Sequence, residues 1–328
     1  MARKPQCKVG GNKSQVVADI PVACSDEAAA VEFMERQRWG DKPTCPACTC
    51  ADVYRMKSRS GGRNADKRWR CRGCGKLFTV RTGTVMEESR IPLRHWCYAF
   101  WRACTSKKGV AALEIQRQTG LSYKSALFLM HRIRWAMAPV DGPKLDGIVE
   151  ADETYVGGKP RHRLPQAAVL RGDRPSNYVT RYQRLASVFG AVERQGQTRL
   201  RVIPEVTSRN LREALREHVA RSARLMTDER QAYIHIGREY ASHDAVCHSS
   251  KVYVRDGVTT NSIESVFALL KRGINGIWHN VSKVHLQRYL DEVQFRYNHR
   301  DMEDGDRTVA AIRAGCGKRL RYREAVAG

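Results

Sequence analysis

The chain is 328 residues long, 42% hydrophobic, and carries 58 Lys+Arg against 34 Asp+Glu, for a net charge of +24. That length allows two or more domains with packed cores, and the charge points to a polyanionic partner. No apolar run approaches the ~18 residues of a membrane span, and the opening MARKPQCKVGGNKSQ lacks the apolar block of a secretory signal, so a soluble intracellular protein that meets nucleic acid is expected, with no membrane partner.

Residues 1–24 read as a polar, flexible leader, and Ser25 is expected to cap a short helix through about Arg38. Two CxxC pairs follow: CPAC at Cys45 and Cys48, and CRGC at Cys71 and Cys74, with 22 residues between them. Each pair makes a tight turn presenting two thiolates, and four thiolates form a tetrahedral site for one structural Zn2+. A redox dithiol needs only one pair. Cys50 could replace Cys48, but CPAC suits the turn better. Short strands in DVYRMKSR, RWRCRGC and KLFTVRTGT complete a zinc ribbon which, with its leading helix, spans residues 25–84. Of the 11 cysteines, Cys7, Cys24, Cys50, Cys97, Cys104, Cys247 and Cys316 lack ligand spacing and read as small hydrophobes or surface thiols.

Between Arg55 and Lys107 there are 14 Lys/Arg and three acids, Asp66, Glu87 and Glu88, interleaved with Trp69, Phe78, Trp96 and Trp101. The aromatics read as core; basic residues on a small metal-stapled module, Arg68 and Arg70 among them, read as phosphate contacts. Residues 107–138 read as two helices broken at Gly120, with Ser122 as cap of the second. This is a helix-turn-helix layout that presents Tyr123 and Lys124 near the start of the second helix, and it marks 85–140 as a DNA-binding segment. Ala138–Lys144, APVDGPK, reads as a linker.

The pattern then changes. GIVEADETYVGG is strand-like up to Asp152, and a loop from Lys159 to Arg184 carries seven Lys/Arg and one acid. ASVFGAVER and TRLRVIPEV read as two strands, SRNLREALREHVA as a helix capped by Ser208, ARLMTDERQAY as a strand ending at Asp228, and CHSSKVYV as another strand. Two long helices follow, in TNSIESVFALLKRGINGIWHN and LQRYLDEVQFRYNHR. At 100° per residue, Asn261, Glu264 and Lys271 share one face of the first of these, while Ile263, Val266, Phe267, Leu270 and Ile274 form a buried stripe. This order gives an α/β domain over 145–312 with a mixed sheet flanked by helices, followed by a basic tail at 313–328.

Asp152 and Asp228 each stand where a strand meets a break, and Glu264 lies in the first turns of a helix. Taken singly, acids at such points are turn formers and caps. Together, carboxylates from two strands and one packed helix can hold a pair of divalent ions that activate an attacking oxygen and stabilise a leaving one at a phosphodiester. Lys271 would steady the DNA backbone beside them, and Arg272 and Asn261 belong to the same DNA-facing set.

The motifs ADETYVGGK (151–159), MTDERQAY (226–233), TNSIESVFALLKRGINGIWHNVS (260–282) and YLDEVQFRYNHR (289–300), with CPAC…CRGC ahead of them, resemble the DDE transposases of small bacterial insertion sequences that carry an N-terminal zinc ribbon. The resemblance runs from about residue 25 to about 312. It implies an RNase H-like catalytic domain, a triad of Asp152, Asp228 and Glu264, two catalytic Mg2+ or Mn2+ ions, and binding to the inverted repeats of the element. Asp152 and Glu153 point to opposite faces of a strand, so only one is expected to reach the metals; the shorter side chain and the family pattern favour Asp152. Related transposases sometimes carry Asn at the third position, which Asn261 could share or take. His248 and His279 lie near the motifs and read as packed or surface residues.

The expected function is a transposase that binds the terminal inverted repeats, cleaves the ends and joins the freed 3′-hydroxyl to target DNA. It would work as a homodimer or higher oligomer on DNA, in the bacterial cytoplasm at the nucleoid. The Lys159–Arg184 loop is the expected contact to target or flanking DNA. The rival reading, a zinc-ribbon transcription regulator without catalysis, leaves Asp152, Asp228 and Glu264 without a role.

Overall fold

The computed structural model describes residues 15–140, 142–157, 185–229, 231–246 and 259–326. The chain forms two compact units. One comprises residues up to Met137 together with His299–Ala327, and the other is Ala138–Asn298.

The first unit opens with helices α1 (Gln15–Ser25) and α2 (Glu27–Trp39). Residues 15–24, expected as part of a flexible leader, are helical despite Pro21, because Ile20 and Ala23 are buried. Residues 1–14 lie outside the described residues. The cap of α2 is Asp26, whose carboxylate accepts the Ala29 N–H at 2.7 Å; the expected cap, Ser25, instead donates to the Val22 carbonyl. A three-stranded antiparallel sheet follows, β1 (Val53–Arg55), β2 (Trp69–Cys71) and β3 (Leu77–Phe78), with β2 in the middle. Its small core is Cys45, Trp69, Cys71 and Phe78, with Trp39 of α2 standing edge-on to Trp69 and Phe78, both at 5.9 Å. Buried Glu35 of α2 accepts the Trp69 indole N–H at 2.8 Å and docks the helix on the ribbon. Three more helices follow, α3 (Leu93–Thr105), α4 (Ala112–Thr119) and α5 (Tyr123–Met137).

The second unit is a five-stranded mixed sheet flanked by helices, as the RNase H-like expectation requires. Its elements are β4 (Ile148–Val156), β5 (Ala186–Glu193), β6 (Thr198–Ile203), α6 (Ser208–His218), β7 (Arg224–Asp228), α7 (Gln231–Gly237), β8 (Ser242–Val246), α8 (Asn261–Gly273) and α9 (Leu286–Asn298). The strand order is β6-β5-β4-β7-β8. The β4–β5 and β5–β6 pairs are antiparallel; β4–β7 and β7–β8 are parallel. Val149, Ala151, Phe189 and Ala191 pack with residues of α6 and α7 on one side, while Val156, Val188 and Val192 pack with α8 and α9 on the other. Thr207, not the expected Ser208, caps α6 by accepting the Asn210 N–H. The expected strand CHSSKVYV and His248 lie outside the described residues, as does the Lys159–Arg184 loop.

Two details of this unit follow from single residues. Gly190, opposite Asp152 in the β4–β5 register, leaves room for α8: a Cβ there would lie 2.7 Å from Ile263 Cδ1 and 2.8 Å from the Phe267 ring. The outer edge of β6 is met by amide side chains of α9 rather than by a strand. The N–H groups of Thr198, Leu200 and Val202 donate to Asn298 (2.7 Å), Gln294 (2.8 Å) and Gln287 (2.9 Å). Asn298 and Gln287 donate back to the Thr198 and Leu200 carbonyls. Four helical residues rise about 6 Å and two strand residues about 6.7 Å, so the spacing of Gln294 and Asn298 matches the edge.

The chain then returns to the first unit with α10 (Asp304–Ala314) and α11 (Tyr322–Val326). Residues 299–312, expected in the catalytic domain, belong here instead. Arg307 donates to the Cys104 carbonyl, Arg313 to the Gln37 carbonyl and Lys318 to the Ala136 carbonyl, so the expected basic tail is also tied down.

Candidate functional site

In the first unit the four expected thiolates come together. Cys45 Sγ lies 3.7 Å from Cys74 Sγ, Cys48 Sγ lies 3.6 Å from Cys71 Sγ, and all four sulfurs are within 4.8 Å of one another. Zinc–sulfur bonds of about 2.3 Å in a tetrahedron place sulfurs about 3.8 Å apart, so this donor set fits zinc. The backbone N–H of Cys74 pulls the Cys71 thiol down to about 7, while Cys48 of the same cluster is pushed up to about 12. Cys50 is outside the group; its sulfur accepts the Asp52 N–H.

The ribbon sheet has a buried and an outer face. Trp69 and Cys71 point in; Arg70 of β2 is exposed, in register with exposed Tyr54 and Leu77. Arg72 stacks over the Tyr54 ring at 5.4 Å, and exposed Arg68 pairs with Asp66 at 3.0 Å. Further along, Gly120 adopts φ +70°, the left-handed conformation that ends α4 without strain. Ser122 Oγ then accepts the Ser125 N–H at 3.2 Å to cap α5. Tyr123 and Lys124 are exposed at its start.

In the second unit the acids gather where β7 ends. The parallel register pairs Glu150 with Met226; carried two residues further, it sets Asp152 beside Asp228. Carboxylate oxygens of Asp152, Glu153 and Asp228 lie within 4.8 Å of one another. Burial pushes the Asp152 carboxyl up to about 7, with the nearby charges of Glu153, Asp228 and Glu264 adding to it against the backbone N–H of Glu153, which donates to Asp152 at 2.7 Å. An acid whose ionisation is held back to about 7 by burial, with neighbouring acids adding to it, is a place that a divalent cation would relieve.

Glu153 was expected to turn away from this point. Its side chain does reach toward α7, where the buried Tyr233 hydroxyl donates to it at 2.6 Å. It still joins the group on the β7 side, where β4 continues past its last pair with β7 while remaining paired with β5 on the other side. Glu264 stands outside the 4.8 Å group, near enough to raise Asp152. It is exposed in the first turn of α8, and the Thr260 hydroxyl donates to it at 3.1 Å. Asn261 is exposed one turn earlier, and Lys271 and Arg272 are exposed in the last turn of the same helix. A π-helical turn, Ile274–Trp278, then continues α8, and exposed His279 ends it with φ +56°.

Two residues beside the site escaped the sequence reading. Tyr233 holds Glu153, and Glu150, two residues before Asp152 on β4, binds the start of α8. The period-2 alternation of a strand places Glu150 on the face of Asp152, and that was the available signal.

The sequence matches the ISXO2-like transposase domain over residues 144–298 and the transposase zinc-ribbon domain over residues 25–77. It is 30% identical over 280 residues, 82% of this chain and 90% of the relative, to an uncharacterized protein in transposable element ISH50 of Halobacterium salinarum. A chain in a cryoEM structure of the simian T-cell lymphotropic virus intasome in complex with PP2A regulatory subunit B56 gamma aligns over 55% of this chain and 63% of its own length, with 13% identity and a TM-score of 0.28, too low to carry weight. With its ribbon thiolates and its acids at the end of β7, the chain belongs to the ISXO2-like transposases, a zinc-ribbon family with a DDE catalytic domain.

Proposed function

We propose that this transposase binds the terminal inverted repeats of its insertion sequence, cleaves the ends and joins the freed 3′-hydroxyl to target DNA at one site built on Asp152, Asp228 and Glu264. The observation that carries the reading is the convergence of Asp152 and Asp228, with Asp152 raised to about 7. Two divalent ions, Mg2+ or Mn2+, would supply activation of the attacking oxygen and stabilisation of the leaving one. Asp152 and Asp228 would hold them from two adjacent strands, and Glu264 from the helix above. Asn261, at the start of that helix, could share the third position.

The remaining work is positioning. Lys271 and Arg272, exposed at the far end of α8, hold the DNA backbone beside the acids. Arg68 and Arg70 on the ribbon, and Tyr123 and Lys124 at the start of α5, bind the element end. In the first step water, giving up a proton, bonds to the terminal phosphorus and the 3′-oxygen leaves as a hydroxyl; in the second that hydroxyl, giving up its proton, attacks a target phosphorus in the same site and the target strand's own 3′-oxygen leaves. Handling two ends together calls for a homodimer or larger assembly on DNA, and the reaction belongs at the DNA of the cytoplasm. Among the described residues no helix is long and apolar enough to cross a membrane.

The test is Asp152→Ala in an assay with labelled element ends, Mg2+ and a target plasmid. The variant should keep end binding and lose cleavage and strand transfer. Cleavage at the wild-type rate would refute the assignment.

A further inference from the structure

The N-terminus of α8 is capped from another element. The residue in its capping position, Thr260, makes no side-chain bond to the helix backbone; its hydroxyl donates to Glu264 instead. The first amides of a helix have no partner within it, and here Glu150 of β4 meets them. The Ser262 N–H donates to Glu150 Oε2 at 2.8 Å, the Ile263 N–H approaches the same oxygen at 3.4 Å, and the Ser262 hydroxyl donates to Oε1 at 3.0 Å. Glu150 is fully buried. Arg194 balances its charge through Nε at 3.2 Å and Nη2 at 3.1 Å, and Nη2 also reaches Met226 Sδ of β7 at 3.2 Å.

A buried ion pair is a poor source of stability, because desolvation offsets the attraction. It does supply direction. Three bonds to one carboxylate fix both the rotation and the height of the first turn of α8 over β4. Asp152 lies two residues along that strand, on the same face, and Glu264 lies two residues into that helix from Ser262. We propose that Glu150 is a positioning residue for the metal site: it takes over the capping that Thr260 gives up in holding Glu264, and so fixes the distance between Glu264 and Asp152. The proposal rests on the metal-dependent reading above.

The experiment uses full-length, zinc-loaded protein and Mn2+ titrations followed by electron paramagnetic resonance, with circular dichroism as a check on folding. Glu150→Gln should raise the Mn2+ concentration for half-saturation roughly 10–100-fold, the range for residues that support a ligand. Because Glu150 acts through Glu264, the double variant Glu150→Gln/Glu264→Gln should bind no more weakly than Glu264→Gln alone; a general structural defect would multiply the two losses. Ser262→Ala removes one of the three bonds and leaves the buried carboxylate in place, and it should weaken Mn2+ binding in the same direction even where Glu150→Gln fails to fold. Wild-type Mn2+ binding by folded Glu150→Gln, wild-type binding by Ser262→Ala where that variant fails to fold, or multiplicative losses in the double variant would overturn the proposal. Asp152→Asn separates the two readings: if it too binds Mn2+ as wild type does, the metal site itself is misassigned; if it loses binding while Glu150→Gln keeps it, only the positioning role falls.

Discussion

Asp152→Asn is expected to make the metal-free protein more stable while it destroys the metal site. Holding the Asp152 carboxyl at about 7 instead of its ordinary 3.8 costs roughly 4 kcal/mol once the group is fully ionised. The sign follows from proton counting. Between about pH 4 and pH 7 the folded chain keeps a proton that the unfolded chain releases, so stability falls as pH rises through that window and the loss is complete above it. Asparagine carries no charge at any pH but leaves a polar amide in the same half-buried place, so it should recover about 1–2 kcal/mol of this cost, or roughly 2–8 °C of melting temperature. The assay is thermal unfolding by circular dichroism of zinc-loaded protein in magnesium-free buffer. At pH 8 the variant should melt above wild type; at pH 5, where Asp152 is already protonated, the gap should close. Added Mg2+ should then raise the melting temperature of wild type alone, by mass action. A variant that melts at or below wild type at pH 8, or a gap that is the same at both pH values, would refute the reasoning.

Other outcomes follow from the same geometry. Mn2+ uptake should displace the Asp152 proton, so apparent affinity should rise about tenfold from pH 6 to pH 8 and level off above, readable by titration calorimetry in buffers of different ionisation enthalpy. Cys45→Ser, or zinc removal by a strong chelator, should unfold the ribbon and abolish binding to element ends in a gel-shift assay, because its own core is only a few side chains. Gly190→Ala should push α8 off the sheet at Ile263 and Phe267, lowering stability by about 1–3 kcal/mol and cutting strand cleavage by more than end binding.

The parts of the molecule written in local spacing were legible from the sequence. The CxxC pairs announced the thiolate cluster, Gly120 and Ser122 the break between α4 and α5, and the apolar run into Asp228 the strand β7. Asp228 does end its strand, but Asp152, expected at a strand end, lies in the middle of β4, which continues to Val156; the two are neighbours through the parallel pairing of β4 and β7, which no local pattern gives. What escaped depends on contacts between distant residues. Glu150 and Ser262 are 112 residues apart, and no local pattern tells a strand glutamate that it will cap a helix. Helix α1 carries a proline that argues against it, and burial of Ile20 and Ala23 outweighs that argument. β8, SHDAV, is a polar edge strand without the alternation that marks a half-buried one. The same limit hid the return of α10 to the first unit.

The motif around Gln294 and Asn298 has a meaning that no catalytic account gives it. A strand at the rim of a sheet is a template on which another chain can polymerise, and copies of a protein brought close together are at risk from such a template. Here the rim of β6 is sealed by three amides from α9, so its hydrogen-bonding capacity is spent within the same chain. Copies of the protein can then crowd together without fusing along that rim.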